Sequence, residues 1–314
     1  MSSTPGSTPV STPLSTPLST PASTPASTPL STPLSAAGVY VQVRAQRQSR
    51  RRWLWAAPVA LVVAAAGVMV AGNNIALFIA FNGGAVSSQA TFWSVTTILG
   101  HGSVLLALCV WLVATRPRLF AAMLLFAPIA GLAIRVAKRI AEVPRPAAVL
   151  APDQIEVIGQ VLQAYSLPSG HALTVFGLSA LLFSAAPRGR GWQWLCWTTL
   201  LLALLVSLSR VAVGAHWPLD ILVGGALGWP CGVAAAALAG RVRWWRKSWA
   251  RRAMALVVVV ASLLLYWTPL GYPLADPAKV VFASVGLLVG SWVLWSPRAA
   301  GRQARHWLRA RRAA

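Results

Sequence analysis

Eight long apolar stretches separated by short polar gaps dominate this chain. They fall at 53–72, 93–114, 119–137, 171–186, 193–213, 219–240, 253–270 and 279–297. An apolar run of about 18 residues or more with few charges is long enough to cross a hydrocarbon core as a helix. Lipid offers backbone groups no hydrogen-bond partner, so each run is expected to be helical. The fourth run is short. The expected fold class is therefore all-α: a polytopic membrane helix bundle of about eight spans.

The gaps divide the chain further. Residues 1–37 repeat Ser-Thr-Pro with a period of four, and proline at that spacing forbids helix and strand interiors. This stretch reads as a disordered tail, since nothing in it can build a core. A basic juxtamembrane segment follows at 38–52, then six spans over 53–240, a basic loop at 241–252, two more spans over 253–297 and a basic tail at 298–314. Within the gap at 141–167, Pro152 to Tyr165 reads as a short amphipathic helix. Pro152 suits a first helical position, Asp153 and Glu156 suit a first turn, and Ile155, Ile158, Leu162 and Tyr165 share a face.

Composition agrees with a membrane protein. The chain is 57% hydrophobic and 10% charged, with 16 Trp among 314 residues, against about 25% charged residues in a soluble domain. The net charge of +22 raises nucleic-acid binding as an alternative, and its distribution argues against it. Basic residues cluster in alternate gaps: before the first run, and after the second, fourth, sixth and eighth. That is the positive-inside pattern, which puts both termini in the cytoplasm. Anionic headgroups are the expected partner of these loops, and no nucleic acid is expected. Trp192, Trp194 and Trp197, and Trp244, Trp245 and Trp249, suit interfacial anchoring. Cys109, Cys196 and Cys231 fall inside runs without metal-ligand spacing and read as small buried residues. His101 falls inside the second run and reads as a packing residue with a hydrogen bond.

Six basic residues escape the alternate-gap rule: Arg135, Lys138, Arg139, Arg145, Arg210 and Lys279. Three of these belong to short groups with chemistry in them. The groups are Lys138-x6-Arg145-Pro146, then Pro168-Ser169-Gly170-His171, then Ser209-Arg210-x5-His216-x3-Asp220. The order of spans brings all three to one membrane surface, opposite the basic loops. Lys138, Arg145 and Arg210 can neutralise a phosphate, the arginines bidentately. Ser169 and Gly170 open a helix whose first amides can bind an anion, and Ser169 also suits a plain N-cap. With a helix starting near Trp217-Pro218, Asp220 lies one turn from His216 on the same face and can fix its tautomer. His216 is then the candidate nucleophile and His171 the candidate general acid. Pro146, Pro168 and Ser209 support these groups.

This set resembles the type 2 phosphatidic acid phosphatase (PAP2) family, whose pattern is Lys-x6-Arg-Pro, Pro-Ser-Gly-His and Ser-Arg-x5-His-x3-Asp. The resemblance covers 53–240 and implies a six-helix phosphatase core, with 253–297 an added C-terminal transmembrane hairpin. It implies hydrolysis of a phosphate ester through a phosphohistidine on His216, with no cofactor and no metal. Lys138, Arg145, Ser169, Gly170 and Arg210 would be phosphate ligands, His171 the acid and Asp220 the orienting group. The membrane setting points to a lipid phosphate or diphosphate: undecaprenyl diphosphate, phosphatidic acid, phosphatidylglycerophosphate or a lipid A phosphate. The expected location is a bacterial inner membrane, with the active site facing the periplasm or exterior. Phosphotransfer to a lipid acceptor is the alternative that the same residues would serve.

Overall fold

The computed structural model of the protein describes residues 36–83, 86–187 and 189–296. Eleven α-helices lie among the described residues: α1 (Ala36–Ala71), α2 (Asn74–Asn82), α3 (Ala90–Ile98), α4 (Gly102–Leu108), α5 (Trp111–Thr115), α6 (Pro117–Ala141), α7 (Gly170–Ala185), α8 (Arg190–Ala212), α9 (Pro218–Arg241), α10 (Ser248–Trp267) and α11 (Asp276–Trp295). No strand occurs among them. Six helical segments are long and apolar enough to cross a membrane, and the bent pair α3–α4 passes the same test as a unit. The 16-residue α7 is apolar but shorter. Each of the eight apolar runs thus corresponds to one helix, except the second, which spans α3, α4 and most of α5. The basic tail at 298–314 and the Ser-Thr-Pro repeats up to residue 35 lie outside the described residues.

Three local features depart from the sequence expectations. The second run is broken: α3 and α4 meet at 78°. The break holds Gly100, where an added Cβ would come within 2.6 Å of His171 Cδ2 and 2.8 Å of Val206 Cγ1. The chain bends where a glycine lets it approach α7 and α8. Helix α2 was not anticipated, because it is only nine residues long. It turns Phe78 inward against Trp217, with ring centroids 5.1 Å apart.

The third departure is a correction. Residues 152–165 do not form an amphipathic helix. Only a 3-10 turn at Pro152–Gln154 is present, and the rest is extended or irregular. The amides a helix would use internally go elsewhere. Glu156 N–H donates to Asn82 Oδ1 (2.8 Å), Ile158 N–H to the Val213 carbonyl (3.3 Å) and Gln160 N–H to the Gly271 carbonyl (2.8 Å). Gly159 has φ of +84°, outside helical geometry. Ile158 is buried, but Tyr165 faces outward.

The core of the bundle is the contact between α7 and α9. Gly224, Gly228 and Gly232 recur every fourth residue along one face of α9. An added Cβ would meet the Ser169 carbonyl at 2.5 Å from Gly224, Leu173 Cα at 2.8 Å from Gly228, and Ala180 Cβ at 3.1 Å from Gly232. Such small-residue stripes let helix backbones touch, which is how helices associate where lipid is as apolar as leucine. Helices α10 and α11 form a hairpin that packs on α4 and α5.

Candidate active site

Local rules set the spacing of the third group. Helix α8 ends in a Schellman turn: Gly214 has φ of +75°, its N–H bonds the Val211 carbonyl (3.0 Å), and Ala215 N–H bonds the Arg210 carbonyl (3.0 Å). His216 N–H reaches the same Arg210 carbonyl (3.1 Å). Two residues later Pro218 opens α9 with Trp217 as N-cap. The five residues between Arg210 and His216 are thus one helix stop, after which α9 begins. Four residues on from His216, Asp220 sits in the first turn of α9.

The His216 and Asp220 side chains are both nearly fully buried. Asp220 Oδ2 lies 3.2 Å from His216 Nδ1 and accepts the Trp217 N–H at 2.8 Å. Ser166 Oγ donates to the same oxygen and lies 3.5 Å from Nδ1. Three donors on one carboxylate oxygen hold the carboxylate still, and the carboxylate holds the ring with Nδ1 protonated and Nε2 unprotonated. Arg145 Nη1 stands 3.4 Å from Nε2. Burial holds the His216 imidazole well below its ordinary pKa, and the Arg210, Arg145 and Lys138 charges push it the same way. The ring is therefore neutral at neutral pH, as a nucleophile must be.

The cations are fixed by neutral oxygens rather than carboxylates: backbone carbonyls for Arg145 and Lys138, side-chain hydroxyls for Arg210. Arg145 donates from Nε to the Ala164 carbonyl (2.9 Å) and from Nη1 to the Ala215 carbonyl (2.8 Å), leaving Nη2 without a hydrogen bond among the described residues. Lys138, on the last turn of α6, donates to the Tyr165 carbonyl. Arg210 is 3% exposed, and its Nη1 donates to Thr97 Oγ1 (2.6 Å) and Tyr272 Oη (2.7 Å). Positive charge held this way stays uncompensated and ready for an anion.

The second group meets the third through the backbone. Ser169 N–H donates to the Asp220 carbonyl at 2.9 Å, which seats the start of α7 against the start of α9. Ser169 is the buried N-cap of α7, and its Oγ accepts from Ala172 N–H at 3.5 Å. At Gly170 an added Cβ would find only Ile134 Cγ1, at 4.0 Å. Packing does not require a glycine there, and Gly170 lines an apolar cavity. The His171 ring, on the first turn of α7, makes no hydrogen bond among the described residues. His101 stands beside it, ring centroids 6.5 Å apart, with Nδ1 2.8 Å from Ser103 Oγ. Pro146 is buried in a 3-10 turn, and Ser209 Oγ bonds back to the Val206 carbonyl (2.6 Å). Among the described residues no group of three His, Cys, Asp or Glu side chains is arranged to hold a metal ion.

Next to His171 and Gly170 an apolar cavity of about 350 Å³ opens between α4, α6 and α7. Leu105, Met123, Phe126, Ile134 and Leu173 line it, together with His101 and His171.

Four participants lay outside the sequence reading: Ser166, Thr97, Tyr272 and Asn82. Asn82 donates to the Glu156 and Ala212 carbonyls (each 2.9 Å) and so ties α2 to the loop and to the end of α8. Ser166 stands two residues before Pro168, so a wider window on that group would have reached it. The other three lie far along the chain and carry no signal of their own.

Fold and site together define a multi-pass helical membrane protein with a buried histidine–carboxylate pair inside a cluster of cations. The sequence model described as "PAP2 superfamily" matches residues 117–247 of the 314. The segment holds all three residue groups. Two curated relatives are similar over shorter stretches. An "Undecaprenyl-diphosphatase" of Sulfolobus acidocaldarius is 47% identical over 64 residues, 20% of this chain and 29% of that protein. The "Bacitracin transport permease protein BcrC" of Bacillus licheniformis is 38% identical over 63 residues, 20% of this chain and 28% of that protein. The chain therefore spans less than a third of the length of either relative. Among solved structures, the crystal structure of Aquifex aeolicus LpxE is similar with a TM-score of 0.46 and 24% identity, covering 52% of this chain and 94% of that one.

Proposed function

We propose that this protein is an integral-membrane phosphatase that hydrolyses a lipid phosphate or diphosphate through a phosphohistidine. The observation that carries the reading is the Asp220–His216 pair, with Nε2 unprotonated and Arg145 Nη1 3.4 Å from it. A phosphate drawn between Arg145, Arg210, Lys138 and the first amides of α7 presents its phosphorus to Nε2. The N–P bond forms as the bond to the leaving oxygen breaks, and His171 protonates that oxygen. Water then attacks the phosphohistidine, His171 takes its proton, and phosphate leaves with Nε2 restored. Asp220 stabilises the charge that grows on the ring.

A lipid substrate is favoured by the apolar cavity beside His171, which suits a hydrocarbon chain and no sugar or nucleotide. Undecaprenyl diphosphate heads the candidates because the relative with 47% identity carries that name; phosphatidic acid, phosphatidylglycerophosphate and lipid A phosphates follow. The alternate-gap distribution of basic residues supports an outer-face site, with both termini cytoplasmic, in a bacterial inner membrane.

The test is phosphate release by the full-length protein in detergent, across that panel of lipids and with or without a chelator. His216→Ala should lower turnover by about 10³-fold or more. Turnover surviving that change would remove His216 as nucleophile, and turnover abolished by the chelator would remove the metal-free mechanism. For topology, a reporter fused after residue 150 should behave as extracytoplasmic and one after residue 247 as cytoplasmic. The reverse pattern would move the site to the inner face.

A further inference from the structure

Arg210 has five N–H donors, and the fold spends two of them. Both donors of Nη1 go to neutral oxygens, Thr97 Oγ1 at 2.6 Å and Tyr272 Oη at 2.7 Å. Nε is buried and has no partner, and Nη2 makes no hydrogen bond among the described residues. A buried guanidinium donor left unpaired is costly, and here it lies on the edge, Nε with Nη2, that grips a phosphate bidentately. The two acceptors on Nη1 decide which edge is left over.

Tyr272 comes from outside residues 117–247, the segment that matches the PAP2 superfamily. It stands in the loop joining α10 to α11, and that loop is built rather than slack. Gly271, at φ +81°, accepts from Gln160 N–H (2.8 Å), and the Tyr272 carbonyl accepts from Ala275 N–H (2.9 Å). Lys279 Nζ bridges Asp276 Oδ1 (2.9 Å) and the Thr268 carbonyl (3.3 Å) across the loop. The Tyr272 side chain is buried, and the Arg210 guanidinium carbon lies 5.6 Å from the centre of its ring.

We infer that Tyr272 is a positioning residue for Arg210. The C-terminal hairpin completes the phosphate site by locking the guanidinium so that its Nε–Nη2 edge faces the anion. This rests on the reading that Arg210 binds phosphate. Without the hydroxyl, one Nη1 donor is released and the plane can rotate, so the fork is no longer held in advance of binding. The ring and its cation–π contact remain in Tyr272→Phe, which isolates the hydroxyl.

The experiment is protection of the full-length protein against thermal unfolding by orthovanadate, a phosphate mimic that needs no choice of lipid. Tyr272→Phe should raise the half-protecting concentration by about tenfold, since a hydrogen bond to a charged group is being lost; protection is read against the variant's own unliganded midpoint, which the unpaired donor should lower somewhat. Thr97→Val removes the other acceptor and should act in the same direction; it decides the matter if Tyr272→Phe does not fold. In an Arg210→Lys background, which has no fork to orient, Tyr272→Phe should add little. Wild-type orthovanadate affinity in both variants, or an equal loss in the Arg210→Lys background, would overturn the inference while leaving the phosphatase reading intact. Absence of orthovanadate protection in the wild type would remove both.

Discussion

Helices α7 and α9 and the hairpin α10–α11 are built from similarly apolar residues, yet they meet their neighbours in different ways. Half of the apolar window in α9 is buried, against 28% in α11. The α7–α9 contact is backbone on backbone, through Gly224, Gly228 and Gly232. The hairpin meets itself mainly through side chains and turns Leu264, Leu288, Trp292 and Trp295 outward, toward what would be lipid. The difference follows from what each must hold. The α7–α9 contact sets the distance between Ser169 and Asp220, where a small slip would part the start of α7 from the His216–Asp220 pair. The hairpin has only to deliver one loop, and its other side can be any apolar surface of the right length.

That contrast can be broken most forcefully at its polar end. Asp220→Asn keeps the shape but removes the charge that holds Nδ1–H, so kcat should fall by about 10²-fold or more, as when an orienting carboxylate is neutralised elsewhere. Substrate affinity should change little by comparison. A wild-type kcat would mean that the Schellman turn and Trp217 alone orient the ring.

Paired glycine substitutions test the packing half of the comparison. Gly228→Ala places a methyl 2.8 Å from Leu173 Cα and nearer still to its carbonyl, atoms that move only with the whole of α7. Overpacking of that kind costs about 1–3 kcal/mol or more, read as a lowered melting midpoint in detergent together with lost activity. Gly290→Ala, between α11 and α10, meets the Val259 Cγ2 methyl at 3.0 Å, the end of a side chain. Its effect should be under about 1 kcal/mol, with activity retained. Equal effects at the two positions would erase the distinction between a backbone contact and a side-chain contact.

Much of this was legible from residue order. The eight apolar runs correspond to helices, because spanning a membrane leaves the backbone no other conformation. The Asp220–His216 geometry followed from a four-residue spacing at a helix start marked by Pro218. Reading failed where local pattern and tertiary contact disagreed. Residues 152–165 have an amphipathic pattern, but Asn82, Val213 and Gly271 offer their amides partners that a helix would have to forgo. The second run has the length of one span, but the glycine at its middle is used to bend it against His171.

By itself, then, the sequence determined the helices, their apolar faces and the spacing of the three short groups, because these depend on neighbours within one or two turns. The tertiary structure decided which donors of each cation are left free. Thr97 and Tyr272 reach Arg210 from 113 and 62 residues away. A hydrogen bond needs both partners within about 3 Å, and no local pattern records which distant oxygen will arrive there.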